Sequence, residues 1–350
     1  MNKILIDGWQ EPVFAGKRAT VLDAALDAGV PLPFGCRSGE CGSCKCRLVE
    51  GQVTMAPYDK GVLSDQEKAA GLILACRSQP KGDIAIASLT ALDVSLVVIP
   101  PRRVKAKVVA IDAPVPDVRR LVLRPAEPLP FKAGQYSELT FGSCSPRAYS
   151  MASHPNDEEL EFHIRILPGG QASGYVAEKL QVGDSVDIDG PFGQAFYRST
   201  HEGPILCAAG GTGLAPVLSI VRTALQENPD RQVHLFFGLR SRANVYAEEL
   251  LRSMQQTYGN FRTDIILANK EEHEECRSGF VHDAIANDWN SLAGFKVYAA
   301  GPPPMIDALT RTVVSLGLES DHIHSDPFYS TAPVVKVGLF GKIKSMLGAK

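Results

Sequence analysis

The chain has 350 residues, of which 45% are hydrophobic, with 36 Lys and Arg against 39 Asp and Glu. That length suits two or three domains with buried cores and excludes disorder and fibre. A formal net charge of −3 gives no electrostatic reason to expect nucleic acid or an anionic membrane as the main partner.

The first segment, Met1 to Gly8, breaks into acid and glycine before a signal-peptide apolar core forms, and no apolar run approaches the roughly 18 residues of a membrane span. A cytoplasmic protein is expected. Two short strand-like runs follow each other, Lys3–Ile6 and Pro12–Ala15, then a helix capped by Thr20 and stopped by Gly29. Cys36, Cys41, Cys44 and Cys46 then fall within eleven residues. In a reducing compartment such a cluster is expected to bind metal. Cys36-x4-Cys41-x2-Cys44, with Cys76 placed 32 positions later, is the plant-type [2Fe–2S] spacing, in which four thiolates hold two irons. Arg37-Ser38-Gly39-Glu40 and Gly42-Ser43 are small or polar, as a loop wrapping a cluster needs to be. A zinc site is the alternative, but zinc sites usually pair two short Cys/His hooks, and here the fourth ligand stands alone. A Rieske centre is excluded, because no histidine lies nearby to replace two thiolates. Cys46 belongs to a strand from Lys45 to Val49 and reads as a buried small side chain. A capping box at Ser64-Asp65-Gln66-Glu67 and a strand at Asp83–Ser88 complete an α+β module.

Residues 1–95 are therefore expected as an iron–sulfur domain and 96–103 as a linker, since Pro100 and Pro101 forbid a helix and cannot pair in a central strand. From 104 to 200 short β runs (Ala106–Asp112, Val118–Arg124, Gln135–Phe141, Leu160–Ile166, Ser185–Gly190) surround one helical stretch, Ala172–Leu180, which predicts a small antiparallel barrel with a capping helix. From 201 to 330 apolar strands alternate with amphipathic helices, predicting a doubly wound parallel sheet. The whole is thus a multidomain chain of α+β, β and α/β parts. In an extension at 331–350, Leu339, Phe340, Ile343, Met346 and Leu347 follow helical spacing among lysines, while three glycines weaken the helix.

Gly210-Gly211-Thr212-Gly213 ends the first strand of the last domain and opens its first helix, where free N–H groups and the positive helix end suit a pyrophosphate. A tight turn without ligand is the plain alternative. Gly301-Pro302-Pro303 forms a second rigid turn on the same sheet edge. In the barrel, Arg147-Ala148-Tyr149-Ser150 joins a cation, an aromatic plane and a hydroxyl on one extended segment, and Gly169-Gly170 with Ser173 leads into the lone helix. Arg240, Ser241 and Arg242 follow the second strand of the last domain, where a 2′-phosphate of NADPH would sit.

The order of cysteine loop, Arg-x-Tyr-Ser, Pro-Gly-Gly, Gly-Gly-Thr-Gly and Gly-Pro-Pro-Pro-Met resembles the ferredoxin–NADP reductase superfamily with an N-terminal plant-type ferredoxin domain. It is most similar to the reductase components of bacterial ring-hydroxylating dioxygenases of the naphthalene dioxygenase type. The resemblance implies a β-grasp ferredoxin domain and FAD on the barrel. Arg147 would lie on the flavin phosphate side with Ala148 beside it, Tyr149 against the isoalloxazine, Ser150 near N5, His163-Ile164-Arg165 beside the flavin, and Gly169, Gly170 and Ser173 on the pyrophosphate. It implies nicotinamide nucleotide at Gly210–Gly213 and at Gly301, Pro302 and Pro303, with Phe328 and Tyr329 near the flavin. Many relatives carry a cysteine where this chain has Ala300. NADH is the expected donor, although the charges of Arg240 and Arg242 permit NADPH. NAD(P)H delivers two electrons as a hydride and the [2Fe–2S] cluster accepts one at a time, so a flavin between them is required to split the pair. Tyr149 and Ser150 are the positioning groups at the reacting ring.

The expected partner is a Rieske-type ferredoxin or oxygenase, met transiently, with a monomer as the expected state and no nucleic acid or membrane. Residues 1–95 carry ten Lys/Arg against eleven Asp/Glu, so this part is nearly neutral, as a domain tethered to its own reductase can be. A reductase for a diiron monooxygenase or for sugar deoxygenation shares the same wiring. A redox-sensing flavin and iron–sulfur binding protein, or a zinc-stapled module on a flavoprotein, belongs to a different class.

Overall fold

The structure, a computed structural model, describes residues 1–94, 96–269 and 276–329. The extension expected at 331–350 lies outside the described residues. A first unit contains β1 (Asn2–Ile6), β2 (Val13–Ala15), α1 (Val21–Asp27), β3 (Lys45–Glu50), β4 (Val53–Met55), α2 (Asp65–Ala69), β5 (Leu72–Leu74), β6 (Ser78–Pro80) and β7 (Ile84–Ser88). Its main sheet has the order β2-β1-β7-β3-β5, with only β1 and β7 parallel, and β4 pairs β6 in a separate ribbon. Alternation turns Ile4, Ile6, Ile84 and Ile86 inward against Val21, Leu22 and Ala25 of α1. This is the β-grasp arrangement. Thr20 caps α1, its hydroxyl accepting from Asp23 N at 3.1 Å and its own N–H donating to Asp23 Oδ2 at 3.0 Å. Ser64 and Glu67 close the same reciprocal box on α2. The ribbon and β5 are three-residue strands, too short for alternation to announce them.

The second unit contains β8 (Arg102–Val115), β9 (Val118–Pro125), β10 (Tyr136–Phe141), β11 (Arg147–Ser150), β12 (Leu160–Arg165), α3 (Gln171–Glu178) and β13 (Ser185–Phe192). All neighbours in the order β11-β10-β13-β8-β9-β12 are antiparallel, and a bridge from Met151 to Phe162 joins the two edges into a barrel. Strand β8 is much longer than its sequence signal and begins inside the stretch expected as linker. Pro101 has no N–H to give a ladder, so pairing opens one residue later, at Arg102 opposite Gly190.

The third unit contains β14 (Ile205–Gly210), α4 (Leu214–Glu227), β15 (Val233–Leu239), α5 (Glu248–Thr257), β16 (Phe261–Leu267), β17 (Arg277–Ser278), α6 (Val281–Asp288), β18 (Lys296–Gly301), α7 (Pro303–Ser315) and β19 (Ile323–Pro327). Its six strands are all parallel, in the order β17-β16-β15-β14-β18-β19. Ile205, Cys207 and Ala209 of β14 face α4 and α5, while Leu206 and Ala208 face α6 and α7, so helices cover both faces. Helix α4 starts at Leu214, directly after the Gly210–Gly213 turn. Pro216 falls in its first turn, where a missing N–H costs nothing. Strand β19 has no sequence counterpart among the expected elements. His324-Ser325-Asp326 lacks apolar residues because this edge strand is only half buried.

The barrel and third unit are joined through a polar chain. His163 Nε2 lies 2.9 Å from Glu161 Oε1, His163 Nδ1 lies 3.2 Å from the Tyr246 hydroxyl, and that hydroxyl donates to Gly211 O at 3.2 Å. Burial raises the Glu161 carboxyl, but His163, Arg222 and Arg120 outweigh it and hold the group down at about 2. A carboxylate with a lowered folded value contributes stability that is present above its ordinary range and lost as pH falls through the folded value. Glu161→Gln is therefore expected to cost roughly 3 kcal/mol at neutral pH. Thermal melts in a pH series check this: the gap to wild type closes between about pH 5 and pH 2, and a pH-independent gap contradicts the ion-pair origin.

Candidate functional site

Segments from all three units meet at a cavity of about 260 Å³. Gly35, Cys36, Cys41 and Ser43 come from the cluster loop, Gly134, Tyr136 and Gln194 from the barrel, and His324, Ser325 and Asp326 from β19. In this wall His324 Nε2 is buried and makes no hydrogen bond among the described residues.

The four cysteines expected as metal ligands are together. Cys44 and Cys76 sulfurs are 3.1 Å apart. Cys36 N donates to Cys41 Sγ and Glu40 N to Cys36 Sγ, both at 3.4 Å, so backbone dipoles already point at sulfur. The Cys41 thiol holds Cys36 well below the ordinary thiol range against the opposing effect of burial, and the Cys76 thiol lowers Cys44 in the same way. The same hydrogen bonds raise the other member of each pair, Cys41 and Cys76. Cys46 lies in a strand, and burial pushes it up to about 12. This donor set fits a four-thiolate iron–sulfur cluster.

On the barrel, Tyr136 of β10 pairs with Ser150 of β11, and Leu139 with Arg147. Arg147 and Ala148 are exposed, Tyr149 is half-buried with its ring 6.0 Å from Phe141, and Ser150 is buried. The turn before β11 lies on the start of α3, where Cys144 Sγ reaches Gln171 O at 3.8 Å, and Arg147 follows three residues on. Helix α3 opens at Gly170 with no side-chain cap, and Gly169 takes a positive φ of 72° with open space around it. A bare helix N-terminus beside an arginine fits a pyrophosphate. Ser173 is buried and accepts from Leu167 N at 3.2 Å. The ring nitrogens of His163 are engaged by Glu161 and Tyr246, and Ile164 is fully buried. That strand therefore presents its backbone and Arg165, not the imidazole, to the barrel surface.

In the third unit the glycine turn and the proline turn pack directly on each other. A Cβ on Gly210 would come within 2.7 Å of Pro302 and Met305, and one on Gly213 would overlap the Ala300 carbonyl. These two glycines serve the close packing of the turns. Gly211 has φ 57° and nothing nearby, so it and Thr212 form the open part of the turn. Pro303 begins α7, whose N-terminus also points to this edge. Ala300 is buried and supplies no thiol. Phe328 N donates to Gly301 O at 2.8 Å, and Tyr329 is 37% exposed. Arg240 is exposed, whereas Arg242 Nη2 lies 2.8 Å from Glu248 Oε2.

Asp326 is the group sequence reasoning undervalued, since Asp326-Pro327-Phe328-Tyr329 reads as an aromatic tail. The register of β19 carries its carboxyl under the barrel, where Ser150 Oγ donates to Asp326 Oδ2 at 3.4 Å. Burial pushes this carboxyl up to about 7, with the Ser150 hydrogen bond opposing. Tyr136, Gln194 and Glu138 carry no motif either.

Residues 6–81 match the 2Fe-2S iron-sulfur cluster binding domain, 105–197 the oxidoreductase FAD-binding domain and 208–311 the oxidoreductase NAD-binding domain. The chain is 42% identical over 313 residues to the ferredoxin--NAD(P)(+) reductase component of naphthalene 1,2-dioxygenase/salicylate 5-hydroxylase systems of Ralstonia sp, covering 89% of this chain and 94% of that protein. It is 39% identical over 318 residues to the reductase component of the naphthalene 1,2-dioxygenase system of Pseudomonas putida, covering 91% and 95%. The chain belongs to the family of oxygenase-system ferredoxin–NAD(P)+ reductase components. Among solved structures, this reductase resembles the Amycolatopsis cytochrome P450 reductase GcoB with a TM-score of 0.87 and 34% identity over 94% of this chain and 99% of that one. The reductase thus carries domains for all three redox groups on one polypeptide. Among its described residues no helix is long and apolar enough to cross a membrane.

Exchanging Cys76 for Ser is expected to abolish the iron content of the purified reductase and its visible iron–sulfur absorbance. Cys46→Ala, two residues from a ligand, is expected to keep both, measured by iron assay and absorbance.

Proposed function

We propose that this chain is the NADH-dependent reductase of a multicomponent aromatic-ring-hydroxylating dioxygenase, passing electrons through FAD and a [2Fe–2S] cluster to a Rieske-type ferredoxin or oxygenase in the cytoplasm. Residues 1–95 act as the ferredoxin domain, 104–200 as the FAD barrel and 201–330 as the nucleotide domain, with 96–103 as linker. The observation that carries this reading is the shared cavity, walled at once by cluster cysteines, by the barrel strand that pairs with Ser150 and by the last strand of the nucleotide unit.

The geometry supports the following roles. Cys36, Cys41, Cys44 and Cys76 hold the cluster. Arg147 and the bare start of α3, at Gly169, Gly170 and Ser173, hold the flavin diphosphate, and Tyr149 supports the ring. Flavin, when bound, supplies the conversion of a two-electron hydride donor into single electrons. Ser150 positions a hydroxyl at the reacting edge, and half-buried Asp326, with a value near neutrality, is suited to hold and release a proton through that hydroxyl. Gly211, Thr212 and the starts of α4 and α7 receive the nicotinamide nucleotide, with Phe328 and Tyr329 bordering the ring. Without a thiol at Ala300, orientation of the nicotinamide falls to the two turns and these aromatics.

The preference for NADH rests on Arg242: its guanidinium is engaged by the Glu248 carboxylate, which would also repel a 2′-phosphate. kcat/KM is expected to favour NADH over NADPH, and Arg242→Ala is expected to leave the NADH value unchanged.

Anaerobic addition of NADH to the pure holoprotein is expected to bleach the flavin and raise the electron paramagnetic resonance of a reduced [2Fe–2S] cluster. Bleaching without that signal overturns the reading. Ser150→Ala is expected to slow flavin bleaching on the order of tenfold or more, with NADH binding retained. Because GcoB, a cytochrome P450 reductase, has a similar scaffold, the acceptor is identified by turnover with purified Rieske components against a P450.

A further inference from the structure

The loop that carries Cys36 is fastened to the barrel by side chains that no cofactor motif includes. Tyr136 Oη donates to Gly35 O at 2.8 Å. Gln194 Nε2 donates to Leu32 O at 2.9 Å, and its Oε1 accepts from Phe34 N at 3.3 Å. Arg37 completes the seam. Its backbone holds φ 57°, a left-handed conformation that a residue with a long side chain keeps only where its surroundings over-determine it.

The guanidinium explains that conformation. Nη2 donates to Asp23 Oδ1 of α1 at 2.9 Å, Nη1 reaches Glu138 Oε1 of β10 at 3.3 Å, and Cζ sits 3.6 Å from the centroid of the Phe192 ring of β13. The side chain is only 18% exposed. One planar cation therefore stacks on a barrel aromatic while its edges join a carboxylate on each side of the seam, a combination a lysine cannot reproduce. Phe192 and Tyr136 also complete the apolar core of the first unit. Arg103, which faces Asp189 across β8 and β13, is paired with it at 2.8 Å.

Cys36 is adjacent in sequence to Arg37, and Cys36 and Cys41 form the cluster-side wall of the shared cavity. Any slip of Arg37 across the barrel moves that wall. We propose that Arg37 is a positioning residue for internal electron transfer, locking the Cys36–Cys41 side of the cluster at a fixed distance from the flavin. This rests on the cluster being the outlet of the flavin.

The test mixes anaerobic holoprotein with NADH and follows flavin bleaching by stopped flow and cluster reduction by freeze-quenched electron paramagnetic resonance. In Arg37→Ala, bleaching is expected at the wild-type rate while cluster reduction slows about tenfold or more. The cluster spectrum and iron content stay unchanged, a split that general misfolding does not produce. Glu138→Ala, on the barrel and away from the cysteines, slows the same step, and the double variant is no slower than Arg37→Ala alone. Arg37→Lys does not restore the rate. Should Arg37→Ala lose iron, Glu138→Ala decides. Wild-type cluster reduction rates in Glu138→Ala, or in an iron-replete Arg37→Ala, overturn the proposal. A wild-type protein that bleaches without any cluster signal instead overturns the reading beneath it.

Discussion

Electrons leave a hydride donor in pairs and enter an iron–sulfur cluster singly, and each handover needs donor and acceptor held close. That constraint dictates where this chain spends its directional contacts. The first unit is held to the barrel by Gln194, Tyr136 and Arg37, and the third by the Glu161–His163–Tyr246–Gly211 chain and the Ser150–Asp326 contact. The seams are polar at their rims and aromatic at their centres, Phe192 under Arg37 and Tyr246 against His163. Apolar burial builds each unit, while the hydrogen bonds fix how the units meet.

What could be read from the sequence follows from how local each signal is. The four cysteines need only their spacing to declare a cluster, and Cys46 declares itself by lying in a strand. The alternation of β14 through α7 is similarly plain, because a strand buried on both faces is apolar throughout. Strand β19 escapes because an edge strand in a polar seam needs no apolar pattern. The start of β8 escapes because Arg102 and Arg103 are exposed and look like linker.

Within the site, motifs marked turn glycines and missed the residues whose side chains act across units. Gly169, Gly170 and Gly211 are legible since only glycine suits such turns. Asp326, Gln194, Glu138 and Tyr136 come from separate segments, and nothing local marks them before folding. His163 shows the converse. Its place in a barrel strand is visible, yet its imidazole turns to Glu161 and Tyr246. Gly210 and Gly213 belong to a nucleotide-type motif, and their missing side chains are also explained by the contact with Pro302, Met305 and Ala300.

The Tyr246–His163 contact has a practical bearing on chimeric enzymes. The three units look separable, and a builder of hybrids would cut near residue 200 to graft a new nucleotide module onto this barrel. The junction would then lie far from the bonds that matter. A foreign module lacking the phenol at 246 or the acid at 326 would leave a buried imidazole and a serine hydroxyl stranded, so a working graft has to transplant the matching barrel residues along with it.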